Sequence, residues 1–134
     1  MASPASSAMK SRVFHAIAAV VLFTLYPILS LVASNASQLA PMSAARSAAV
    51  LLLASLLALL AARWALGGWE RATMLVVGLQ ILFFSYGHVY DLMRTVELGG
   101  VLIGRHRYLF GLWGAAGLVW AAVVLRLKSS PRLT

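Results

Sequence analysis

Residues 47–66 read SAAVLLLASLLALLAARWAL, twenty residues without an acid or a lysine. Twenty residues at about 1.5 Å each cover the roughly 30 Å of a bilayer's hydrocarbon core. Only a helix suits such a segment, because lipid offers no hydrogen bonds and the backbone must satisfy itself. Its one charge, Arg63, lies within a turn of the end and reaches the interface along its aliphatic stem. Working outward, Gly67–Arg71 is long enough only for a tight turn, and residues 72–90 form a second apolar run. These two runs therefore read as an antiparallel hairpin. Residues 13–33 precede it and residues 108–125 follow it, so the four runs measure 21, 20, 19 and 18 residues. The alternation of a membrane barrel strand is absent. The expected fold is all-α: an integral membrane protein with four transmembrane helices in an antiparallel bundle.

Composition agrees. Of 134 residues, 62% are hydrophobic and only 10% charged, with a mean hydropathy of +0.90. A soluble domain carries about a quarter charged residues, so this chain lacks the polar groups to cover a globular surface. The spans leave no room for a soluble nucleotide-binding or hydrolase fold within this length. There is no cysteine, which excludes disulfides, thiolate chemistry and cysteine-ligated metal. The net charge of +8 comes from single Lys and Arg residues at the borders of apolar runs. Nucleic-acid binders gather such residues on one soluble face, so no nucleic-acid partner is expected.

Borders and tails complete the division. Residues 1–12 read as a disordered cytoplasmic tail, residues 13–125 as the four-helix domain, and residues 126–134 as a basic cytoplasmic tail. Residues 34–46 read as a polar loop, and Val89, Leu92, Met93 and Val96 suggest a short interfacial helix ended by Gly99-Gly100. The first run exceeds the 7–15 residues of a signal-peptide core and is expected to be a retained span. Four spans put both tails and the middle turn on one side. That side holds Lys10, Arg12, Arg63, Arg71, Arg126, Lys128 and Arg132, against Arg46, Arg94, Arg105 and Arg107 on the other. The positive-inside bias makes both termini cytoplasmic, in a membrane expected to be the bacterial cytoplasmic membrane.

Polar chemistry concentrates around the third span. Gln80, Phe84, His88 and Asp91 share one helical face, and polar groups on a membrane helix turn toward the bundle or toward water. One reading is a polar pocket at the outer interface formed by Gln80, Tyr86, His88, Tyr90 and Asp91, with Arg105, His106 and Arg107 closing over it. The other is an interfacial belt in which the same aromatic and histidine side chains bury their bodies and wet their tips. Arg105, His106 and Arg107 suit a lipid phosphate, or simply mark a helix end. His15 lies at the opposite end of its span from His88 and His106, and the two arginines beside His106 disfavour an added cation. No metal, haem or other cofactor is expected. With three acids in the chain, at Glu70, Asp91 and Glu97, no paired-carboxylate or Ser-His-Asp site can be built. Gly87, Gly111, Gly114, Ala115, Gly117 and Ala121 are expected helix-packing positions, since small residues let membrane helices approach closely. Pro27 removes a backbone donor from the first helix.

Three patches, taken in order, resemble a known family: Leu25-Tyr26-Pro27-Ile28-Leu29, Phe83-Phe84-Ser85-Tyr86-Gly87-His88-Val89-Tyr90 and Gly104-Arg105-His106-Arg107-Tyr108-Leu109. They are similar to the N-terminal membrane module of bacterial sulfatase-like membrane proteins of the alkaline phosphatase superfamily. In that family a further span and an extracytoplasmic metal-dependent hydrolase or transferase domain follow. The chain ends at Thr134 before either, so the resemblance implies a detached or truncated module to which no metal ligand or nucleophile carries over. Two functions are expected from these readings. One is a non-enzymatic subunit that anchors or scaffolds a membrane complex, with membrane lipids and a membrane protein or a second copy as partners. The other is a module that binds a lipid or lipid-linked substrate for a sulfatase-like or transferase enzyme on a separate chain.

Overall fold

The computed structural model describes residues 4–35, 41–99, 101–102 and 105–127. Four helices account for most of them: α1 Pro4–Ser34, α2 Pro41–Leu66, α3 Trp69–Met93 and α4 His106–Arg126. All four are long and apolar enough to cross a membrane. Between α3 and α4 a two-residue ladder pairs Glu97 with Leu102 and Leu98 with Val101, antiparallel.

Three borders move from their expected places. Residues 4–12, expected to be a disordered tail, form the first turns of α1. Pro4 suits a first helical position, where its missing N–H costs nothing, and the long apolar helix downstream has already met the cost of nucleation. Residues 41–46, expected in a loop, begin α2, again with proline at the first position. Beyond the third span, α3 runs unbroken to Met93, so Val89, Leu92 and Met93 extend it and form no separate interfacial helix. The chain then turns through Gly99 at φ 58°, a backbone conformation that favours glycine. The expected basic tail lies outside the described residues from 128 onward.

Side-chain register gives the helix directions. Arg12 of α1 meets Glu70 of α3 at 3.9 Å, and farther along Thr24 meets Gln80, so α1 and α3 run parallel. Along α4, His106 meets Tyr86, Trp113 meets Leu82 and Trp120 meets Met74, so α3 and α4 run antiparallel. Between α2 and α3, Gly67 adopts φ 70° and the Arg71 guanidinium caps the Leu66 carbonyl. The third helix is the hub: it packs on α1, α2 and α4, whereas α4 packs chiefly on α3.

The core is lopsided. Ala16, Val20, Leu59, Ala62, Leu66, Ala72, Val76 and Val124 form one buried cluster. All lie in the half of the bundle that holds the start of α1 and the α2–α3 turn. Small side chains there, with Ala72 fully buried, let the helices close together. In the opposite half, Leu109 is the one buried apolar residue among those described. Large apolar side chains such as Leu22, Leu53, Phe83, Phe110 and Leu118 point outward. A surface of that kind is costly in water and favourable in lipid.

Candidate functional site

Two polar assemblies stand out, one at mid-depth and one at an end. The first joins α1, α2 and α3. Thr24 donates its hydroxyl to the Val20 carbonyl one turn back, at 2.8 Å, a common way for a hydroxyl within a helix to satisfy itself. Its oxygen then accepts the Gln80 amide at 2.7 Å. The same Gln80 amide nitrogen donates to Ser55 Oγ at 3.0 Å, and Ser55 Oγ lies 3.1 Å from Thr24 Oγ1. Thr24 is fully buried and Gln80 nearly so. The Gln80 Oε1 atom is buried without a hydrogen-bond partner. These residues form a polar layer that caps the packed half of the bundle, near the middle of α2 and α3 and a little past the middle of α1.

The second assembly lies where α3 ends and α4 begins. Tyr90 stacks on the His106 ring with centroids 3.9 Å apart and planes 13° from parallel. The Tyr86 hydroxyl lies 2.9 Å from His106 Nδ1, and Trp113 packs edge-on to Tyr86 at 6.0 Å. Trp113 also donates its indole N–H to the Leu82 carbonyl at 2.8 Å. Leu82, Tyr86 and Tyr90 recur every four residues, so they form the stripe of α3 that faces α4. Beside the clip, Arg107 donates to the Tyr108 hydroxyl at 2.7 Å, with its guanidinium 4.7 Å above that ring.

The residues expected to share an outer pocket therefore separate. Tyr86, Tyr90 and His106 come together. Gln80 belongs to the mid-depth layer, two and a half turns away. His88 and Asp91 are exposed on other faces of α3, and Arg105 and Arg107 are exposed at the start of α4. Among the described residues no three of His, Asp and Glu gather as a metal would require. The arrangement can stack rings, accept and donate hydrogen bonds, and present cations to an anionic surface.

The packing glycines separate too. A methyl at Gly117 would meet Leu79 and Leu82 of α3 at van der Waals distance, and Ala121 is half-buried on the same helix. A methyl at Gly87, Gly111 or Gly114 would meet nothing within 4 Å, and Ala115 is exposed. The crowded glycine is instead Gly78, where the Trp120 indole occupies the place a methyl would take.

No family model, curated protein or solved structure matches the chain.

Proposed function

We propose that this chain is a non-enzymatic integral membrane subunit that scaffolds a complex through the outer face of α4. The observation that carries this reading is the isolation of α4. It packs chiefly on α3, and Gly111, Gly114, Ala115, Leu118 and Ala122 lie exposed along one of its faces. Gly111 and Ala115 form a small-xxx-small pair, which permits close approach of a second helix where packing drives association. The partner is a membrane protein or a second copy of the chain. The positive-inside bias supports cytoplasmic termini, since Lys10, Arg12, Arg63, Arg71 and Arg126 cluster at one end of the helices and Arg46, Arg94, Arg105 and Arg107 at the other. Gly111→Leu with Ala115→Leu tests the reading. The double variant should lose whatever chain co-purifies with the wild type, or its own dimer, and retain helicity. Retention of the partner would refute the role of this face.

The clip at the end of α3 favours a second reading. His106, held by Tyr86 and Tyr90, fixes the start of α4, and Arg105 and Arg107 flank it in the open. That geometry suits a lipid or lipid-linked phosphate presented to a sulfatase-like or transferase enzyme on another chain. Loss of a phosphate-bearing lipid from Arg105→Gln/Arg107→Gln, with the α4 partner retained, would favour it.

A further inference from the structure

Above the polar layer, α1 and α2 part. Pro27 and Leu31 of α1, Ser47 and Leu51 of α2, and Phe84 of α3 line a half-open groove of about 420 Å³. A second depression shares Ser47 and Leu51 and carries the surface on to Arg46. The walls are apolar except where α2 begins, and there stand Ser43, Ser47 and the Arg46 guanidinium. One continuous surface therefore runs from a lipid-facing apolar slot to a cation at the interfacial end of a helix.

We infer that this groove holds one acyl chain of an anionic phospholipid, whose phosphate is met by Arg46. Three observations select that occupant. The slot is half-open and lined by three helices long and apolar enough to cross a bilayer, where an acyl chain would be the neighbouring solvent. Its volume falls in the range of built small-molecule sites, about 300–1,000 Å³. Its polar end carries positive charge and no acid, and a guanidinium matches the fork geometry of phosphate. The site lies on α1, α2 and α3, away from both the α4 face and the clip around His106, so it stands or falls independently of them.

Native mass spectrometry of the full chain, released from detergent and titrated with dioleoyl phosphatidylglycerol or dioleoyl phosphatidylcholine, reads the site directly. The wild type should retain one phosphatidylglycerol in preference to phosphatidylcholine. Arg46→Gln should erase about fivefold of that preference, the worth of one basic residue at a lipid headgroup. Leu31→Trp, at an exposed rim position, should weaken both lipids alike by filling the slot. Arg126→Gln, at the far end of the bundle, should leave the preference unchanged. The inference is overturned if Arg46→Gln keeps the preference, if Arg126→Gln loses as much, or if Leu31→Trp binds both lipids as the wild type does.

Discussion

Gly78→Ala measures how tightly α4 is held. A Cβ at residue 78 would overlap Nε1 and Cε2 of the Trp120 indole and sit 2.8 Å from Cδ1. The indole must then move, and with it the part of α4 that carries it. Overpacking of this kind costs about 1–3 kcal/mol. The displaced ring also gives up its hydrogen bond to the Met74 carbonyl, 3.1 Å long, for about 0.5–1.5 kcal/mol more. Alanine returns about 0.5–1 kcal/mol as the better helix former. The balance is a loss of about 2 kcal/mol, roughly thirtyfold in the unfolding equilibrium. Reversible unfolding in one lipid–detergent mixture, followed by far-ultraviolet circular dichroism, reads it. Gly87→Ala is the control, because a methyl there meets nothing within 4 Å; it should be as stable as the wild type or more so. Combining Gly78→Ala with Trp120→Leu should abolish the cost of the alanine. If Gly78→Ala and Gly87→Ala shift stability in the same direction and by the same amount, the indole does not lie over Gly78 and the reasoning fails.

Three further outcomes are expected. In a double-mutant cycle, Thr24→Val and Gln80→Leu should couple by about 0.6–1.7 kcal/mol, the range for hydrogen bonds between membrane helices; additive effects would show that the two side chains do not meet. His106→Ala should destabilise by about 1–3 kcal/mol through loss of the Tyr90 stack and the Tyr86 bond, whereas His88→Ala, at an exposed position, should melt with the wild type; the reverse order would move the clip to His88. Since the chain has no cysteine, single cysteines placed at Ser6, Ser37, Thr95 and Ser129 report topology: Ser37 and Thr95 should label with an impermeant maleimide from outside and the other two should not; external labelling of Ser129 with Ser6 protected would exclude four spans, and labelling of both would invert the orientation.

The helices were legible because lipid imposes one rule along the whole length of a span. Residues 47–66 sit inside α2 and residues 72–90 inside α3. Helix ends were less legible: residues 4–12 read as a tail and residues 41–46 as a loop, whereas Pro4 and Pro41 stand at first helical positions, where proline is at home. Which way a helix faces was the hardest to read. In water the apolar stripe points inward, but in lipid all sides are apolar and the stripe vanishes. The face drawn through Gln80, His88 and Asp91 followed polarity alone. The aromatic stripe Tyr86–Tyr90 was the better guide to α4, and the Trp120–Gly78 approach carried no local signal at all, since it joins residues far apart in the chain. Thr24, Ser55 and Gln80 did leave one trace: each is a polar residue near the centre of its own run, and three such residues at one depth imply a meeting.

The groups that meet there are two hydroxyls and an amide, and none carries a charge. A membrane potential does about 2.3 kcal/mol of work per 100 mV on each elementary charge carried across the bilayer, but none on translation of a neutral group. Shifting these groups along the bundle therefore moves no net charge through the voltage, and neither hydroxyls nor amides titrate in the physiological range. This layer holds no formal charge. In a bilayer, a junction of this kind would couple neither to the membrane potential through net charge nor to the pH on either face.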